Sequence, residues 1–213
     1  NASNDWNLSA RLMQGKRLET NTSNAEETNT YQMGDYSRGW SSYTGGNGSR
    51  ISFNFKRHAG FDVVCYKGNG ATQAQGGQII KHSLSKTPEM MWVKFRNDAY
   101  DWQVYHKGLN GGTNPQNYKV QLNDTSVESG NAAWWNNTAP TSTAFTVGDS
   151  TRVNYDGGQY IAMLFASVDG ISSVGSFTGD SSGSVSVTTG FQPRFILIKN
   201  AEANEGWILH DSL

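Results

Sequence analysis

The sequence predicts an all-β protein: a jelly-roll-like β-sandwich built from an internally duplicated unit of roughly 110 residues. Three observations carry this expectation. Short stretches of alternating apolar and polar residues recur along the chain, each closed by a Gly- or Asn-rich turn cluster. No window offers a long amphipathic helix with capping residues. A set of strand and turn motifs in the middle of the chain returns near its end. Composition agrees: with only 16% of residues charged, polarity comes from Ser, Thr, Asn and 24 Gly, which favour turns and strand faces over helices. At 213 residues the chain is long enough to bury a sizeable core.

Taken in order, residues 8–18 are the one stretch with helical character, enough for one or two turns. Alternation then marks strands at 50–55 (RISFNF), 62–66, 90–95, 102–105, 118–122, 185–189 and 195–199. Turns fall at Gly45-Gly46-Asn47-Gly48, Gly68-Asn69-Gly70, Asn110-Gly111-Gly112, Asp156-Gly157-Gly158 and 179–183 (GDSSG). The best apolar run, 160–166, has strand length. It falls far short of the roughly 20 residues of a membrane helix, so membrane insertion is not expected.

The recurrence has a definite register. Pro88 and Pro193 each open an apolar strand closing on a Lys, Lys94 or Lys199, and a Trp follows at equal distance, Trp102 or Trp207, to open another strand. Upstream, Gly60-Phe61 and 66–68 match Gly170-Ile171 and 177–179, and 51–55 (ISFNF) aligns with 161–165 (IAMLF). Residues 21–26 (NTSNAE) echo 123–128 (NDTSVE). This register makes 60–169 a complete unit, 1–59 the back half of a unit and 170–213 the front half. Either the two halves pair into a second lobe with pseudo-two-fold symmetry, or the chain is a window from a longer tandem array. It opens on Asn1 without a leader, which reads as a processed chain or a segment.

Several chemistries lack support. Lys plus Arg number 17 against 18 Asp plus Glu, so there is no basic footprint for nucleic acid or an anionic membrane surface. A lone Cys65 excludes an internal disulfide or a Cys-based zinc site. His58, His82, His106 and His210 form no metal-binding spacing, and a structural or surface role is expected for them. There is no G-x-S-x-G, and the clusters at 45–48 and 68–70 neither open a helix nor end on Gly-Lys-Ser/Thr, so they read as hairpin turns. Glu128, Asp149, Asp156, Asp98 and Asp101 are the carboxylates available for glycosidase chemistry, but they lie in turn-like contexts. No catalytic residue and no cofactor is assigned. Asp149, Asp156 and Asp180 with neighbouring Asn and Ser oxygens offer a structural Ca²⁺ site, without EF-hand spacing.

The aromatics say more. Trp134-Trp135-Asn136-Asn137-Thr138 sets adjacent indoles in a polar stretch, so on a strand one of them faces away from the core. Tyr100, Trp102, Tyr105, Trp40 and Tyr43 sit among similar Asn, Asp and Ser residues. Exposed rings beside amides suit a sugar, whose C–H face stacks while its hydroxyls hydrogen-bond. The expected ligand site is therefore Trp134, Trp135, Asn136, Tyr100 and Trp102. The alternative is that these rings fill the sandwich core or a subunit interface.

The segments 60–70 (GFDVVCYKGNG), 90–94, 102–109 (WQVYHKGL), 134–143 (WWNNTAPTST), 160–167 and 190–195 resemble a module common in large tail-fibre and related structural proteins of tailed phages of marine bacteria, cyanophages included. The resemblance is strong over 60–213 and looser over 1–59. It implies a virion appendage that contacts the host surface and carries over no functional residue. The expected function is non-enzymatic attachment to a bacterial cell-surface glycan, by a homotrimer whose weak sites add through avidity. A purely structural domain binding other virion subunits is the alternative, and a virion-associated polysaccharide depolymerase a third.

Overall fold

The computed structural model describes residues 5–28 and 51–212. The turn expected at 45–48, Arg50, Trp40 and Tyr43 lie outside the described residues.

The protein is mostly β, with antiparallel sheets and almost no helix. In chain order the strands are β1 (Asn7–Leu8), β2 (Lys16–Glu19), β3 (Glu27–Thr28), β4 (Phe61–Lys67), β5 (Gln78–Lys81), β6 (Met90–Phe95) and β7 (Gln103–His106). They continue with β8 (Tyr118–Gln121), β9 (Ser129–Gly130), β10 (Ala144–Val147), β11 (Gln159–Phe165), β12 (Phe195–Ile198) and β13 (Ile208–Asp211). The one α-helical segment among the described residues, α1 (Thr151–Asn154), is a single turn.

The centre is a six-stranded sheet in the order β4-β11-β6-β7-β8-β9. Strand β11 sits inside it because its run is apolar on both sides. Ile161, Met163 and Phe165 join Trp92, Trp102, Val104 and Val120 on one face. Tyr160, Ala162 and Leu164 join Val93, Tyr105, Phe145 and Trp135 on the other. Each face is covered. The β5–β10 ladder, residues 132–137 and α1 overlie the Tyr160 face. The β1-β2-β3 sheet, through Met13 and Leu18, and the β12–β13 hairpin, through Leu197 and Trp207, overlie the Ile161 face.

One local expectation is met in part and two are corrected. Residues 8–18 hold one 3₁₀ turn, Arg11–Met13, and then a strand, because Lys16–Glu19 pairs with both β1 and β3. Residues 51–55 join no ladder among the described residues; instead Phe55 lies 5.0 Å from Phe61 and Phe53 lies 4.7 Å from Phe195, ring to ring. Residues 185–189 also join no ladder: Val185 and Val187 stay exposed, and alternation with Ser and Thr provides no face large enough to bury. Between 5–28 and 195–211 no strands pair among the described residues, although Phe53 touches Phe195 and stacks 6.5 Å from Trp6.

Candidate functional site

The five residues expected to bind a ligand go to different places. Trp102 and Trp135 are 0% exposed, a correction to any role as stacking platforms. The Trp102 indole donates to the Glu19 carbonyl (2.9 Å), fastening β2 over the sheet. Trp135 donates to the Tyr118 carbonyl (2.8 Å), fastening 132–137 to β8. The adjacent indoles diverge on a turn, not on a strand: Asn136 N–H donates to the Ala132 carbonyl and Asn136 takes φ 52. The Asn136 side chain lies against Gly77, before β5.

Trp134 and Tyr100 are half-buried and do come together, through a residue that sequence reasoning missed. The Arg152 guanidinium carbon lies 5.6 Å from the Tyr100 ring centre and 5.9 Å from that of Trp134. The Lys119 ammonium lies 5.3 Å from the same Trp134 ring. Each member is held by its element. Tyr100 stacks on Phe95 at 5.6 Å. Trp134 is fixed by Gly148 N–H donating to its carbonyl (2.9 Å). Arg152 rides on α1, where Ser150 Oγ accepts from Arg152 N–H and Val153 and Asn154 are buried. The Tyr160 hydroxyl braces α1, donating to the Thr151 carbonyl (2.6 Å) and accepting from Tyr155 N–H (2.7 Å). Burial pushes that phenol up to about 12.

The electrostatics of this cluster are unbalanced. Lys119 is 8% exposed. Neither it nor Arg152 has a carboxylate partner among the described residues, and neither head group donates a hydrogen bond to them. Burial, then repulsion from Arg152, lowers the Lys119 pKa; Asp101 and Asp124 oppose this from a distance. The Trp134 indole N–H and the Arg152 Nε–H are sealed without an acceptor. No sequence signal marked Lys119, because in 118–121 (YKVQ) it alternates with Val120 and reads as solvent-facing.

Three of the five candidate carboxylates are occupied elsewhere. Glu128 accepts from Asn110 N–H (2.7 Å), Asp101 from Asn123 Nδ2 (2.9 Å) and Asp98 from Ala99 N–H (2.7 Å). Glu89 lines a depression of about 400 Å³ together with Pro88, Tyr105, Lys107 and Ser167. There it pairs with Lys107 (2.6 Å) and accepts from Ser167; burial raises its pKa, but these partners bring it below the usual value. His106 accepts from Gly108 N–H, and burial, reinforced by Lys107, brings it to about 4. Among the described residues no group of three or more His, Cys, Asp or Glu is placed to hold a metal ion.

Two tryptophans make the same kind of joint. Trp207 donates to the Gln121 carbonyl at the end of β8 (2.8 Å), as Trp102 does to Glu19 at the end of β2. Glu128 N–H donates to the Ala201 carbonyl and Glu26 N–H to the Arg96 carbonyl, both at 2.8 Å. Comparison with protein-family profiles matches residues 14–213 to a family described as a domain of unknown function, DUF7483. The chain belongs to that family. The DUF7483 match spans every strand from β2 to β13 and the whole Trp134 cluster. No curated protein and no solved structure matches the chain.

Proposed function

We propose that this chain is a segment of a phage tail fibre or spike, built of repeated β units, that attaches the virion to a bacterial surface glycan. The observation that carries the reading is the pair of Trp-to-carbonyl joints. Each fastens a Lys- and Trp-bearing hairpin, β6–β7 or β12–β13, onto the strands that precede it. Several details agree. Met90 faces His106 as Phe195 faces Asp211. Lys94 donates to the Phe95 and Asp98 carbonyls, and Lys199 to those of Asn200 and Ala203. Trp6 N–H donates to Asn21 Oδ1 as Trp102 N–H does to Asn123 Oδ1. A joint that recurs with its register is what a linear array needs, since each unit then presents the next with the surface it received. The six-stranded sheet opposed by the β5–β10 ladder supports the sandwich part of a jelly-roll-like unit.

Attachment follows from the resemblance to phage fibre modules, with a homotrimer multiplying a weak site. We assign no catalysis; of the five candidate carboxylates, Asp98, Asp101 and Glu128 accept from backbone or side-chain donors. The burial of Trp102 and Trp135 favours a second reading, a purely structural virion domain. The two separate in an adhesion assay: the fluorescently labelled chain is incubated with a panel of marine bacteria, cyanobacteria included, with and without periodate oxidation of their glycans. Adherence lost on oxidation is expected. Failure to adhere to every strain would overturn attachment and leave the structural reading.

A further inference from the structure

We infer that Lys119, Arg152 and Trp134 form a subsite for an anion, the carboxylate or sulfate of an acidic polysaccharide. The polysaccharide part rests on the attachment reading above; the anion part stands on the geometry alone.

A buried ammonium ordinarily has acceptors, and this protein shows it. Lys94, 0% exposed, donates to two carbonyls, at 2.7 and 3.2 Å. Lys119 is covered along its stem but keeps its ammonium at the surface; it donates to no described residue and shares its Trp134 ring with a second cation. Two like charges drawn together, with no described carboxylate in contact and only Asp101 and Asp124 acting from a distance, are costly in an empty site and favourable once an anion lies between them. The orphaned groups point the same way: Trp134 Nε1–H and Arg152 Nε–H are donors, and an ionised carboxylate or sulfate is an acceptor without a proton to give. The cations approach the ring of Trp134, and Tyr100 lies between Phe95 and Arg152, so recognition here goes by charge instead of by sugar stacking. Burial and Arg152 both depress the Lys119 pKa, and a bound anion would relieve the second effect.

The test measures retention of the intact chain on immobilised polygalacturonate, dextran sulfate and neutral dextran across a salt series. Wild type, Lys119→Met and Arg152→Gln are compared, with thermal unfolding of each. Wild type is expected to bind an acidic polymer, less so as salt rises, and to ignore dextran. Each variant is expected to bind about tenfold or more weakly, with a midpoint equal to or above wild type, since the repulsion between two neighbouring cations has been relieved. Equal retention on neutral and acidic polymers, undiminished binding by both variants, or lowered midpoints in both would overturn the inference. Release by equimolar free sulfate or acetate would support the anion chemistry and overturn its assignment to a polysaccharide. Cells that hold wild type and both variants alike would sink this subsite and leave attachment standing; cells that hold none would sink attachment itself.

Discussion

Lys94 yields the sharpest test of how the protein is layered. Its side chain starts on a central strand, is 0% exposed, and ends on the carbonyls of Phe95 and Asp98. Burial, only partly offset by Asp101 and Asp98, lowers its pKa from 10.5 to about 8. Between those two values the unfolded chain keeps the proton and the folded chain releases it, so stability rises with pH across that window. Below about pH 8 both states are charged and the full desolvation cost is present. From about pH 7 to about pH 9.5 the shift is worth about 2 kcal/mol, from about 1.4 kcal/mol per unit of pKa difference. Other groups titrate in the same range, so the reading is differential: urea unfolding of wild type and of Lys94→Met at several pH values. The wild type should gain about 2 kcal/mol on the variant over that span. Parallel curves would mean that the Lys94 ammonium is solvated, and the covered sheet face would be wrong.

Three other predictions concern the joints and the core. Trp102→Phe, which removes an indole bond inside the full core, should cost about 2–4 kcal/mol in denaturant unfolding. Trp207→Phe, on a two-stranded hairpin, should cost about 1 kcal/mol and speed hydrogen exchange only within 195–211; equal losses in the two would refute their different burial. Trp135→Ala should cost about 3–5 kcal/mol, and Trp134→Ala, half-buried, clearly less, as read from paired melting curves. Gly60 has φ +76, and an added Cβ would lie 2.5 Å from Ser172 Oγ and 2.6 Å from the Ala166 carbonyl. Gly60→Ala should therefore lose about 1–3 kcal/mol, seen as a lower melting midpoint, whereas Gly15→Ala, with open space around it, should lose less.

Strands 61–67, 90–95, 103–106, 118–121 and 195–198 were legible because alternation and Gly-rich turns are local properties. Strand β10 (Ala144–Val147) was not, since four residues beside a Thr-rich loop show too short a pattern. Residues 51–55 and 185–189 alternate equally well, yet join no ladder among the described residues, because alternation names two faces without naming a partner edge. At the candidate site, sequence grouped Trp134, Trp135, Asn136, Tyr100 and Trp102 as one ligand site, whereas the structure brings Trp134 and Tyr100 to Arg152 and buries Trp135 and Trp102. On a turn, one residue's step sends Trp135 inward to the Tyr118 carbonyl and leaves Trp134 at the edge.

By itself the sequence determined that the chain is β-rich, low in charge, and equipped with two Lys- and Trp-bearing strand segments, all of which follow from neighbours within a few residues. Only the tertiary structure decided which polar positions are covered. Lys119 becomes a largely covered cation with no carboxylate in contact among the described residues, because residues 132–137 and α1 close over its strand. Burial of that kind is a property of layers meeting, and no alternation pattern within a single strand encodes it.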